Sequence, residues 1–432
     1  MLGAHDLSLF GFEMMRKLLQ ESRWQIRVMV LTFLGYVVMA PWQVTRAQAS
    51  TELTLYGIVD TGVGYTKTKF NEPTLGQSKT ESRIGMSSGA QSGSRWGLRI
   101  EESFNRDTAV IAILESGIFS NTGELAQNGI YFGRQSTLGL ENRSLGRVDF
   151  GLQTNLASNY FLAVDPFVLG FGQANMGASF GSADTFRYSN LLLFQTPDNQ
   201  PWRFGIGYSN NLSVSAVYLD STNPSILPAS SYLSNSDNLR GLTLGAKYSH
   251  PLLTLVASFD AAQAPKNIPA GELPYPLTPN SSPILKEWIL GASFKTHPGA
   301  AVTWSAAIGQ TFNGAFSGQA PGNNFAGTNL LTDTLGAQIL FASGFNTNSY
   351  MLGFSWKIDS VQRLFCSWQA MQPNTNIATV TPLATAQTVS LAYTYNFSQR
   401  TNLYTWASAG KNFQMFEGNH AVEVGVGLRH LF

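Results

Sequence analysis

The sequence predicts an all-β protein, a transmembrane antiparallel up-and-down β-barrel of about 16 strands. Three observations predict it. Segment after segment alternates apolar and polar residues with a period of two, as a strand with two different solvents does. The connections between these segments alternate between short turns and longer stretches rich in Pro, Gly, Asn and Ser. After Ser50 there is no run of 18 apolar residues, so nothing in that part of the chain reads as a helix that could cross a bilayer.

The last stretch, AVEVGVGLRHLF (421–432), shows the alternation best. Val422, Val424, Val426, Leu428, His430 and Phe432 fall on one face, and Glu423, Gly425, Gly427 and Arg429 on the other. A terminal strand with an open edge leaves a row of unpaired N–H and C=O groups, and pairing with the first strand satisfies them. If lipid wets the apolar face, closure becomes mandatory, because hydrocarbon offers no partner to a backbone group.

Length alone would suggest two or three domains, a rule that large barrels break. Charged residues make up 12% of the chain and the formal charge is +1, which argues against nucleic acid as a partner. The single cysteine, Cys366, excludes an internal disulfide framework and a Cys-based zinc site; by parity it fills apolar space with Leu364 and Trp368. At the N-terminus, Arg16, Lys17, Arg23 and Arg27 precede an apolar run from Val28 to Ala40, followed by Ala47-Gln48-Ala49. That order is a signal peptide, since the apolar run is too short to span a bilayer. Residues 1–49 are expected to be cleaved, leaving 50–432 as one barrel domain.

In chain order, the first strand is expected over Thr51–Tyr65, and Ser94–Glu101 follows with Trp96, Leu98 and Ile100 opposite Arg95, Arg99 and Glu101. Thr108–Gly117 does not alternate. Ile130–Leu140 and Arg147–Gln153 form the next pair, and small residues (Gly133, Gln135, Thr137, Gly139) on the outer face of the first suggest a subunit contact. Asn155–Asp184 is a long Gly- and Ser-rich stretch without alternation, a length at which loops are usually functional. Strands resume at Arg187–Phe194 and at Phe204–Leu219. They continue as pairs, Arg240–Ser249 with Leu252–Ala261, Leu285–Lys295 with Ala301–Phe312, Asn348–Lys357 with Val361–Met371, and Gln387–Asn396 with Thr401–Lys411, before the terminal strand. No fixed internal repeat supports a solenoid.

Several segments together resemble the Gram-negative trimeric general-diffusion porins: TLYGIVDTGVGY (54–65), SRWGLRIEE (94–102), LESGIFSNTGEL (114–125), YFGRQSTLGLEN (131–142), LGRVDFGLQ (145–153), VDPF (164–167), FRYSN (186–190) and the terminal LRHLF. The resemblance implies a homotrimer in the outer membrane, with the third long loop folded inward as a constriction and wall arginines facing that loop. Arg99, Arg134 and Arg187 match the family's constriction positions, and Asp165 and Asp184 lie on the stretch that matches the inward loop. Arg95 joins them by alternation alone, since it shares the parity of Arg99. An Arg common in relatives is replaced here by Leu152.

The expected function is passive diffusion of small hydrophilic solutes and ions. Seven of the thirteen arginines after residue 50 fall between Arg83 and Arg147, which suggests a mild anion preference. Three alternatives share the barrel. A channel dedicated to one solute would carry a lumenal track, of which Tyr56 and Ile58 are a trace. An outer-membrane hydrolase would use Gly177-Ala178-Ser179-Phe180-Gly181 as a nucleophile elbow, which requires a strand, a sharp turn and a helix. An adhesive surface protein would act through its long loops. No catalytic residue, cofactor or metal site is assigned: the histidines lack ligand spacing, and the loop acids do not cluster as calcium would need. The expected partners are outer-membrane lipid, two further copies of the chain, small ions and hydrophilic solutes.

Overall fold

The computed structural model describes residues 50–72, 77–212, 216–220, 223–227, 238–264, 284–316, 339–374 and 383–432. The expected signal peptide, 1–49, lies outside them. The strands begin with β1 (Ser50–Glu72), β2 (Gln77–Ser88), β3 (Arg95–Ser103), β4 (Thr108–Gly117), β5 (Gln135–Asn142) and β6 (Gly146–Thr154). After a long loop come β7 (Arg187–Gln195) and β8 (Trp202–Ser209), then two short loop strands, β9 (Ala216–Asp220) and β10 (Asn223–Leu227). The wall continues with β11 (Arg240–Ser249), β12 (Leu253–Gln263), β13 (Ile284–Phe294) and β14 (Val302–Phe312), followed by two more loop strands, β15 (Gly314–Phe316) and β16 (Ile339–Phe341). It ends with β17 (Thr347–Lys357), β18 (Gln362–Pro373), β19 (Ala386–Asn396), β20 (Thr401–Lys411) and β21 (His420–Leu431).

All the wall strands pair antiparallel with their neighbours, and β1 closes the ring on β21 from Ile58↔Leu431 to Lys69↔His420. Gly57 and Phe432 exchange backbone hydrogen bonds of 3.1 Å each way, which uses the last backbone groups of the chain. β2 and β3 lie end to end along β1, β3 against Ser50–Ile58 and β2 against Thr61–Glu72. Together they form one lane, so the seventeen strands of the wall make a closed barrel of sixteen lanes.

The outward face follows the parity read from sequence. Leu53, Leu55, Val63, Val422, Val424, Val426 and Leu428 are all exposed, while Asp60 and Ala421 on the other face are buried. At the short-turn rim the outward residues are aromatic: Trp202 and Phe204 stack at 5.9 Å, Trp304 and Phe354 meet at 5.5 Å, and Tyr395 and Phe397 at 5.4 Å. Such rings favour the boundary between hydrocarbon and water. In β4 the missing alternation has a simple cause. Ile111 and Ile113 lie on the inward face with Glu115, and Ile111 is fully buried there, so both faces of this strand are apolar below Glu115.

The expected small-residue outer face near Arg134 is not present. Arg134 precedes β5, and within β5 Thr137 and Gly139 are buried on the inward side, whereas Leu138 is 57% exposed outward. The parity is reversed because residues 130–134 are loop rather than strand.

The long loops build further structure. β1 and β2 extend past the expected end at Tyr65 as a hairpin. β8 stops at Ser209, short of the expected Leu219, and β9 is a separate strand paired with β10. β9 also pairs parallel with β16, which pairs with β15, so two loops share a four-stranded sheet. Phe316, Ile339 and Phe341 are buried in the cluster that holds Phe186 and Tyr188, with Phe186 and Phe316 5.4 Å apart.

The loop 155–186 folds into the barrel. It opens with a short helix, α1 (Leu156–Phe161), capped by the Asn155 side chain, which accepts from the Ser158 amide. Its apolar side chains lie on inward-facing glycines of the wall. A Cβ at Gly205 would stand 2.7 Å from Leu156, one at Gly291 2.7 Å from Phe161, one at Gly309 3.1 Å from Phe180 and one at Gly353 2.7 Å from Pro166. Each glycine leaves the room that a loop side chain fills.

Candidate channel constriction

The inward loop is held by polar groups of the wall as well as by apolar contact. Thr243 Oγ1 accepts from the Leu156 amide at 3.0 Å, Asp260 Oδ1 accepts from Asn155 Nδ2 at 2.9 Å, and Glu287 Oε2 accepts from the Ser182 amide at 2.6 Å. Ser293, on β13 like Glu287, and Ser349 and Gln369, on β17 and β18, donate to the carbonyls of Ala163, Ser179 and Ala174. Buried acids are tolerable here because they accept hydrogen bonds from the loop and from Tyr188 and Thr311. Between β2 and β3 the chain makes a small excursion, Gly89–Ser94, and its Ala90 carbonyl accepts from the Phe171 amide. The loop is therefore gripped from both sides of the barrel.

Where the loop returns to the wall at Thr185, three arginines gather near one carboxylate. Glu115, inward on β4, accepts from Arg134 Nε at 2.7 Å and from Tyr56 OH at 3.0 Å, and Arg95 Nε lies 3.6 Å from its other oxygen. Arg187 joins through the backbone, donating from Nε to the Arg134 carbonyl at 2.9 Å and from Nη1 to the Thr185 carbonyl at 3.1 Å. Arg134 reaches the cluster from the end of loop 118–134, over Gly93, where a Cβ would stand 3.0 Å from its Nη1. The cluster sets three positive charges against the carboxylate of Glu115, with Asp184 beside Arg187 at its edge. Arginine suits it, being charged at any working pH and holding its fork in place through several donors.

The other expected residues are placed differently. Arg99 faces inward like Arg95, but four residues further along β3, roughly 13 Å at the strand rise. It pairs with Glu101 at 2.7 Å and stands apart from the cluster. Asp165 is buried inside the loop, where it accepts from the amides of Phe167, Leu169 and Met176 at 3.1, 2.9 and 3.2 Å. Its carboxylate shapes the loop and does not face the lumen arginines. Burial pushes its pKa up to about 6, against those three amide bonds. Asp184, half-buried at the end of the loop, is also pushed up to about 6 by burial, while Arg187 and the Asn175 side chain pull it down. Gly177 packs directly under it, with no room for a Cβ.

Reading the sequence missed Glu115 as the centre of the cluster. The signal was present in its place on a strand between arginine-bearing segments, but the apolar run beside it hid the alternation. It also missed the node at Asp60, which accepts from Tyr404 OH and the Ser92 amide and so ties the first strand to the last lanes and to the excursion.

The family model for Gram-negative porins matches residues 43–412. This chain belongs to the Gram-negative porin family. The porin is 38% identical over 399 residues to an outer membrane porin protein of Bordetella pertussis, covering 89% of this chain and 96% of that one. Its fold is similar to that of an anion-selective porin from Comamonas acidovorans, with a TM-score of 0.61 at 22% identity over 89% of this chain and 100% of that one. It is also similar to the trimer form of in-vitro folded OmpT from Vibrio cholerae, with a TM-score of 0.53 at 11% identity over 89% and 100% of the two chains. This porin resides in the outer membrane as a multi-pass β-barrel, and small hydrophilic solutes and ions cross it by passive diffusion. Its short turns face the periplasm and its long loops the outside.

Proposed function

We propose that this porin works as a homotrimer with a mild preference for anions, and that Arg95, Arg134 and Arg187 set that preference at the constriction. The observation that carries this reading is the imbalance around Glu115: Arg95 and Arg134 meet its carboxylate and Arg187 joins through the Arg134 carbonyl, three guanidinium groups against Glu115 and the edge carboxyl of Asp184, while Asp165 is folded away inside the loop. A rim of one sign beside a low-dielectric wall focuses the field and raises the local concentration of counter-ions. The anion-selective porin of like fold agrees with this sign, and the trimer form of OmpT with the assembly. Arg99 and Glu101 form a self-neutralising pair further along the wall and contribute less.

Single-channel reversal potentials in a potassium chloride gradient test the preference. Wild-type protein is expected to favour chloride. One unit charge at 4 Å in water is worth about 1 kcal/mol, so Arg134→Gln should lower the anion-to-cation permeability ratio about fivefold and Glu115→Gln should raise it. Cation selectivity in the wild type, or the same ratio in both variants, would overturn the assignment.

The reading is of a channel without catalytic chemistry. Ser179 of the Gly177–Gly181 motif is buried on a 3₁₀ turn, with no strand before it as a nucleophile elbow requires. The leader 1–49 is proposed to be removed on export, which N-terminal sequencing of the exported protein would establish.

A further inference from the structure

A second group of cations lies in the lumen, at a different stretch of wall. Lys247 on β11 stands directly opposite Arg203 on β8. Both continue the inward parity of Gly205 and Gly245, the glycines under α1, one step closer to the periplasmic turns. Side chains directly opposite on antiparallel strands are about 5 Å apart at Cβ, and like charges so placed repel. Neither makes an ion pair with a carboxylate among the described residues. Asp198, in the turn 196–201, acts on Lys247 through space only.

Both cations approach the side chain of Tyr160, on α1. Arg203 Cζ is 5.9 Å and Lys247 Nζ 5.6 Å from the centre of its ring. Tyr160 is 2% exposed, yet its hydroxyl has no hydrogen-bond partner, and neither has Arg203 Nε. Burial pushes the Tyr160 pKa up to about 12, so the hydroxyl keeps its proton and remains a donor. Two cations, one phenol and one guanidinium N–H without partners thus converge with no carboxylate in ion-pair contact among the described residues. Buried donors are costly to leave unpaired, and the pair of like charges adds to the cost. An anion with several acceptor oxygens relieves both at once.

We propose that Arg203, Lys247 and Tyr160 form a second anion station, beneath the inward loop on its periplasmic side, for small oxyanions of the phosphate and carboxylate class. The proposal rests on the channel reading above. An anion that has passed the arginines at Glu115 meets this station next, on a different wall, so the path carries two separated positive sites in series.

Inorganic phosphate is the probe. Purified porin in a planar bilayer, carrying chloride current at constant ionic strength, is expected to show a saturable fall in current as phosphate replaces chloride. In the double variant Arg203→Ser with Lys247→Ser the half-blocking concentration should rise at least about tenfold, as loss of charged hydrogen-bond donors implies. Tyr160→Phe, which keeps the ring and both cations, should raise it by a smaller factor. Heat-modifiable migration on a gel confirms that each variant is folded, and Lys247→Gln with Tyr160→Phe carries the test if the double variant is not. A phosphate response that is absent, or the same in wild type and variants, overturns the proposal. A protein that forms no channel at all overturns the channel reading instead.

Discussion

Asp184 stands beside Arg187 at the edge of the arginine cluster, and its protonation changes the charge that a passing ion feels. Its carboxyl is held at about 6, as is that of Asp165, both above the ordinary 3.8 because burial disfavours the charged form. The folded loop therefore binds these two protons more tightly than an unfolded chain does. Their contribution to stability is fully present below about 4 and is lost as pH rises through about 6. Acidification does not release the loop on their account. It does remove a negative charge next to Arg187. Anion preference should accordingly grow as pH falls from about 7.5 to about 5, with a midpoint near 6, in reversal potentials measured at fixed salt. Asp184→Asn should show the acid-side preference already at neutral pH and lose most of the pH dependence. A preference that falls on acidification would show that other groups control the lumen.

At the scale of elements, the inward loop depends on what its wall leaves out. α1 can lie flat on β8 and β11 only because Gly205 and Gly245 have no side chains; a Cβ at Gly245 would stand 2.9 Å from Tyr160 Cε2 and 3.0 Å from Leu156 Cβ. Gly245→Val should lift α1 toward the lumen and lower single-channel conductance, and it should cost about 1–3 kcal/mol, the usual penalty for overpacking. An unchanged conductance would mean that the loop slides without narrowing the path. The same elements show what the sequence could reveal. Sixteen lanes are legible because lipid on one side and water on the other impose a period of two on each strand, as in β21. Outside the membrane that constraint disappears. The hairpin extension of β1 and β2 reads TKTK (66–69) and SKTES (78–82), polar on both faces, and it is invisible for that reason. The end of β8 is overrun because alternation persists after Ser209, although Asn211 and Leu212 already bond to Asn190 and Leu239 of other segments. The constriction is legible in part. Inward parity puts Arg95 on the face where Glu115 lies, but no pattern of single-strand alternation could show that Arg134 reaches Glu115 from a loop, or that Asp165 turns into its own loop.

For the whole molecule, the decisive joint is where the two ends meet. A closed barrel has no edge, and each lane contributes stability only while its neighbours hold the register. At this joint the Phe432 ring lies over Gly57 on the outer face, in space that a Cβ at residue 57 would occupy. The backbones of the same two residues exchange two hydrogen bonds. Each such bond is worth about 1 kcal/mol. The ring, 46% exposed, adds part of the roughly 2 kcal/mol of a fully buried phenylalanine. Deleting Phe432 removes both contributions, whereas Phe432→Ala removes only the ring. Gly57→Val leaves Phe432 in the chain but displaces its ring. The three variants should therefore lose barrel stability in a graded order, with the deletion worst. Thermal unfolding in detergent, followed by loss of β circular dichroism and by heat-modifiable migration, measures this order. The barrel's strands elsewhere are untouched by these changes, so equal loss in all three would mean that the ring, and not the backbone pairing, holds the joint shut.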